Sequence, residues 1–127
     1  MKKLCFLAIT LLMFMGIGCV HNPVPPVDAR VTLAPGIGSS VYVTSVRCTR
    51  NQAGYCLLQA NVVNNSRKIE RVEYKVQWLD DAGMEIESVV STWQNMAIQP
   101  REIKGISAVA AGKEAVDFRL YIRPFRR

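Results

Sequence analysis

The sequence predicts an all-β domain, an antiparallel sandwich of about six or seven short strands, from three observations. Residues 71–79 alternate polar and apolar side chains with a period of two. Turn-forming clusters punctuate the chain at short intervals over its last ~90 residues. No window after residue 18 carries a helical period. A small closed barrel, built from the same short strands, is the competing architecture. The 127 residues suffice for one domain and are short for two. Half of them are hydrophobic and a fifth are charged, which excludes disorder as the general state.

The first segment reads as a targeting signal. Lys2 and Lys3 precede an apolar run over residues 4–15, broken only by Thr10. That run is shorter than the roughly 20 residues a bilayer-spanning helix needs, and it fits a secretory signal over residues 1–18. Gly16-Ile17-Gly18-Cys19 resembles the lipobox of bacterial lipoproteins, in which the thiol takes a diacylglycerol and the leader is cut just before it. The resemblance implies a lipidated Cys19 carrying diacylglyceryl and amide-linked palmitate-type chains. Val20 follows, where an Asp would imply retention at the inner membrane; its place predicts an outer-membrane, periplasm-facing protein anchored in the lipid bilayer. Loss of Lys2 and Lys3 with the leader lowers the net charge from +6 to +4, a modest excess that argues against a dedicated nucleic-acid binder.

Residues 19–40 read as a Pro-rich tether and loop, with Pro23, Pro25 and Pro26 in an aperiodic run, and the sandwich is expected over 41–127. The only His, His21, lies in that tether, which removes Ser-His-Asp catalysis and most zinc sites from consideration. Strands are expected over 41–49 and 55–63, then 71–79 with Val72, Tyr74, Val76 and Trp78 inward. Asp80-Asp81-Ala82-Gly83 is a hairpin turn. Residues 84–90 return as its partner, with Met84 and Ile86 inward. A short strand at 96–98 precedes Pro100, a strand at 102–109 carries a bulge at Gly105, and residues 115–123 place Val116, Phe118, Leu120 and Ile122 inward.

Four Cys are present. With Cys5 in the leader and Cys19 lipidated, Cys48 and Cys56 remain as a pair. Pairing 48 with 56 across the Asn51–Gly54 turn also aligns Val46 with Leu58, Thr44 with Ala60 and Tyr42 with Val62 on the more apolar face. That register predicts a structural disulfide, suited to an oxidising compartment. Two buried free thiols are the alternative.

Val62-Val63-Asn64-Asn65-Ser66, the stretch from Glu73 to Gly83, Trp93 and the strand through Ile106 resemble the YcfL-like family of small bacterial lipoproteins. The resemblance implies an immunoglobulin-like sandwich in the outer membrane or periplasm, and no catalytic residues.

Function follows by chemistry. The carboxylates are scattered on polar strand faces and turns, so no acid–base pair, metal site, cofactor or small-molecule substrate is expected. A non-catalytic binding or structural module of the envelope is the first reading. A regulator of a peptidoglycan-synthesising enzyme, acting by protein contact, is the alternative. Trp93, Met96 and Ile98 form one candidate partner surface, but the favoured reading has Trp93 plug one end of the sandwich. Arg119 and Arg123, near Arg126 and Arg127, form another, suited to anionic lipid or glycan, or else blunt an edge strand.

Overall fold

A computed structural model describes residues 28–37, 39–88 and 91–126. The leader, Cys19, the tether to residue 27, Gly38, Val89, Val90 and Arg127 lie outside the described residues. The remainder is all β, with no helix among the described residues and eight strands in two sheets. The strands are β1 (Val31–Leu33), β2 (Val41–Arg50), β3 (Cys56–Asn64), β4 (Glu70–Leu79), β5 (Glu85–Ile86), β6 (Gln94–Ile98), β7 (Ile103–Val109) and β8 (Asp117–Pro124). Sheet A runs β1-β8-β4, with β5 and β6 both on the far edge of β4; sheet B runs β2-β3-β7.

The alternation in β4 does what its period requires. Val72, Val76 and Trp78 are buried, and Tyr74 packs against the core. β8 answers them across an antiparallel ladder that pairs Trp78 with Phe118, Val76 with Leu120 and Tyr74 with Ile122. The Trp78 and Phe118 rings meet edge to face at 6.3 Å. Leu58, Ala60 and Val62 of β3, with Ile106 of β7, close the core from sheet B.

Two strands behave differently from their apolar patterns. β1 lies within the segment expected to be tether and loop, yet it pairs in parallel with Leu120–Ile122 and buries Val31. Asp28, Arg30 and Asp117 lock this entry: Arg30 bonds the Asp28 carboxylate at 2.8 Å and Asp117 at 3.4 Å, and its guanidinium covers the Phe118 ring. In β8 the ladder begins at Asp117, so Val116 is 45% exposed and Ala115 takes the buried place instead.

The β2–β3 hairpin carries the expected disulfide, Cys48–Cys56, but in another register. Cys48 lies opposite Leu58 and Cys56 opposite Arg50, so the bridge runs diagonally between Cα atoms 6.5 Å apart. The turn sets this. Asn51 N–H donates to the Tyr55 carbonyl, and Gly54 takes φ +88°, giving a tight three-residue loop. Thr44 is then an extra residue, bulged between Val43 and Ser45. The bulge swaps the inward parity, so Val41 and Val43 are buried while Tyr42 and Thr44 face out. By contrast β7 pairs regularly through Gly105, without a bulge.

The Asp80–Gly83 turn forms as expected, with Gly83 at φ +76° and Asp80 Oδ1 accepting from the N–H groups of Ala82 and Met84. Its return strand is only two residues long, and Met84 is 65% exposed rather than inward.

One buried polar side chain organises an end of the sandwich. Asn64, fully buried at the end of β3, donates from Nδ2 to the carbonyls of Lys68 (2.8 Å), Ile98 (3.0 Å) and Gln99 (3.1 Å). Its Oδ1 accepts from Ser66 N–H at 2.9 Å. Two N–H groups at the end of a sheet B strand thus serve three carbonyls, one in the turn before β4 and two at the end of β6.

Two outcomes follow. Asn64→Ala strips partners from buried carbonyls and is expected to cost about 2–4 kcal/mol in urea melts. Asn64→Asp turns a carboxylate toward the same carbonyls, so it should be worse at pH 7 than at pH 4; an Asp variant that melts like the parent contradicts this role. The second outcome concerns Asp28. The Arg30 side chain, then its backbone N–H, lower its pKa from 3.8 to about 2. A depressed carboxylate stabilises above its unfolded pKa and loses that contribution as pH falls through the folded value. Asp28→Asn should therefore destabilise by under ~1 kcal/mol near neutrality, given how exposed the pair is. The difference from the parent should vanish at about pH 2 in the same melts.

Candidate functional site

The outward face of sheet A gathers the chain's most organised surface side chains. Strand period dictates who stands there. β4 presents Arg71, Glu73, Lys75 and Gln77, and β8 presents Arg119, Tyr121 and Arg123. The ladder sets Glu73 opposite Arg123, Lys75 opposite Tyr121 and Gln77 opposite Arg119. β6 sets Asn95 beside Glu73, and Trp93 stands just ahead of that strand.

The side chains close into one cluster. Arg123 Nε donates to Glu73 Oε2 at 2.7 Å. Its guanidinium lies 3.7 Å from the centroid of the Trp93 ring. Lys75 Nζ sits between two rings, 5.4 Å from Trp93 and 5.8 Å from Tyr121. Each cation over a ring contributes on the order of 0.5–1 kcal/mol at an exposed position. The chief effect is orientation: two flexible cationic side chains are held in place, with the aromatic edges between them. Arg71, Lys75 and Arg119 have no ion-pair partner among the described residues.

The expected partner surfaces are thereby redrawn. Trp93 and Arg123 do meet, and Arg119 is exposed on the same face. Met96 and Ile98 do not belong to it, being 8% and 0% exposed. They alternate inward along β6, opposite Val72 and Glu70, and form part of the core. Trp93 plugs no end of the sandwich; it lies on the sheet's outer face, half-buried under Arg123. Sequence reasoning placed Lys75 and Tyr121 on polar faces but did not join them to Trp93. The alternation of both strands was the available signal, and only the β4–β8 pairing brings them together.

A second surface lies on the outer face of sheet B. Ser45, Arg47, Gln59, Asn61, Gly105 and Ser107 line an open trough of about 510 Å³. Among the described residues no group of His, Cys, Asp and Glu is arranged to hold a metal ion. Asp80 is engaged by the turn it closes.

A family model described as a protein of unknown function, DUF1425, matches residues 29–124. The chain belongs to this family. A crystal structure of a DUF1425 member from Shewanella sp. pv-4 superposes with a TM-score of 0.62 at 24% identity, covering 68% of this chain and 80% of that one. The crystal structure of Campylobacter jejuni cj0090 gives 0.64 at 28% identity, covering 77% of this chain and all of the other. Among curated proteins none matches.

The cluster makes a direct prediction. Trp78 is sealed in the core, so acrylamide quenching of the folded protein reports Trp93. Arg123→Ala should raise that quenching while costing under ~1 kcal/mol of stability. Unchanged quenching would mean that Arg123 does not cover the indole.

Proposed function

We propose that this DUF1425 protein is a YcfL-like lipoprotein, anchored in the outer membrane through acylated Cys19 and facing the periplasm, where it serves as a non-catalytic binding module of the envelope. The observation that carries the reading is the Lys2-Lys3 start, the apolar run over residues 4–15 and its end at Gly16-Ile17-Gly18-Cys19. The physical chemistry of anchoring favours permanence. A single acyl chain binds only marginally, at about 0.8 kcal/mol per buried CH₂, whereas two or three on one residue hold for the protein's lifetime. The Cys48–Cys56 bridge is in keeping with an oxidising compartment. The binding role is supported by the cluster of Trp93, Tyr121, Lys75 and Arg123, which holds two cations in place on the outer face of sheet A.

Metabolic labelling with palmitate and membrane fractionation test the anchor. The parent should incorporate label and sediment with outer membranes. Cys19→Ala should lose the label and remain unprocessed or soluble. A processed variant that still fractionates with the membrane would overturn the reading.

A further inference from the structure

We infer that the outer face of sheet A docks on the anionic headgroup layer of the bilayer that holds the anchor, so the domain lies on the membrane rather than swinging free of it. This rests on the lipid anchor proposed above. Four cations stand on that face, Arg71, Lys75, Arg119 and Arg123. Of its carboxylates, Glu73 is already spent on Arg123 and Asp117 on Arg30, and Glu85 lies at the far end beside Leu79. Trp93 and Tyr121 stand among them, the two residue types whose rings settle at a headgroup boundary. Sheet B offers no counterpart, since its trough carries the single cation Arg47 among neutral polar groups.

The chain's route points the same way. Residues 1–27 join the domain at Asp28, and β1, three residues on, is the edge strand of sheet A. Asp28 lies nine positions after Cys19, a reach of at most roughly 30 Å even fully extended. A tether that short keeps sheet A near the headgroups, and the Asp28–Arg30–Asp117 ion pairs fix the direction of entry. Charge then acts over the ~8 Å screening length of physiological salt. Each cation near an anionic surface contributes roughly fivefold to partitioning, so the three unpaired ones favour the docked state on the order of a hundredfold.

The test uses the acylated full chain, purified from membranes and reconstituted into vesicles of phosphatidylcholine, with or without phosphatidylglycerol. Flotation with the neutral vesicles reports the anchor. Quenching of Trp93 by a nitroxide carried on the lipid headgroup reports docking, with Trp93→Phe identifying its share of the signal. Quenching should appear only with phosphatidylglycerol, fade at high salt, and be lost in Arg71→Glu/Arg119→Glu. Both of those residues are exposed, and a melt of the double variant establishes that it is folded. A chain that floats with neutral vesicles yet shows no quenching in anionic ones keeps its anchor and overturns the docking. A chain that fails to float with neutral vesicles, but shows charge-dependent quenching with anionic ones, supports the docking and overturns the anchor. Equal quenching in both vesicle types removes charge as the cause and overturns it too. A Trp93 response to inorganic phosphate, with none to vesicles, overturns it in favour of a soluble anion.

Discussion

The ladder between β4 and β8 decides both faces of sheet A at once. Its eight paired positions run from Val72 opposite Pro124 to Leu79 opposite Asp117. Every second pair is core: Tyr74 with Ile122, Val76 with Leu120, Trp78 with Phe118. The pairs between them are surface: Glu73 with Arg123, Lys75 with Tyr121, Gln77 with Arg119. A slip of one residue on either strand would exchange the two sets, burying Arg123 and exposing Phe118. The energy that fixes the register is apolar burial and the Trp78–Phe118 contact. The cationic cluster therefore inherits its geometry from the core behind it. Its own ion pair and ring contacts are too weak to set a register, and they refine side-chain position on a backbone already fixed.

The end of the sandwich near Asn64 needs a different device, because apolar burial does not tell loops where to lie. Asn64 ties the 65–68 turn to the end of β6 with one amide. Backbone bonds extend the junction, since Asn64 N–H donates to Glu102 and Asn65 N–H to Ser40. The turn at Gln99–Glu102 is held although Arg101 sits at φ +62°, a left-handed conformation that a non-glycine residue adopts at a cost. Its guanidinium bonds the Asn65 side chain, so the strained residue is secured to the same junction. Polar satisfaction at this end supplies what shape complementarity supplies in the core.

The fold was legible wherever one strand carried its own signal. The period-two alternation of β4 and the Asp80–Gly83 turn both read directly, because period and turn chemistry are local. Failures arose where a residue's fate depended on a partner strand. Tyr42 and Thr44 were expected inward on unbroken alternation, but the three-residue loop at Gln52–Gly54 sets the register and leaves Thr44 as a bulge. Met96 and Ile98 looked like surface because their strand is short. Pairing with β4 turns them into core. β1 passed for tether since three residues show no period, and its parallel partner lies some ninety positions away. The site followed the same rule. Trp93 and Arg123 were each visible, while Lys75 and Tyr121 joined them only through the ladder.

The two outer faces differ in a way that packing alone does not require. Either could have been covered with scattered mixed charge and served the core equally well. Instead sheet A carries four cations, with rings fixing two of them and with Glu73 and Asp117 each paired to an arginine, while the trough of sheet B carries Arg47 among neutral polar groups. Holding like charges near one another on a sheet costs stability through repulsion, so the arrangement is one that folding by itself disfavours. The rings partly offset that cost by giving Lys75 and Arg123 a negative π face, and Glu73 neutralises the more confined of the two. Arg71, Lys75 and Arg119 have no ion-pair partner among the described residues, and they are spread along two adjacent strands rather than gathered at a point. A spread of that kind fits an extended anionic surface better than a single small anion, which would need the cations to converge. The chain enters the domain through β1, an edge strand of the same sheet that carries those cations.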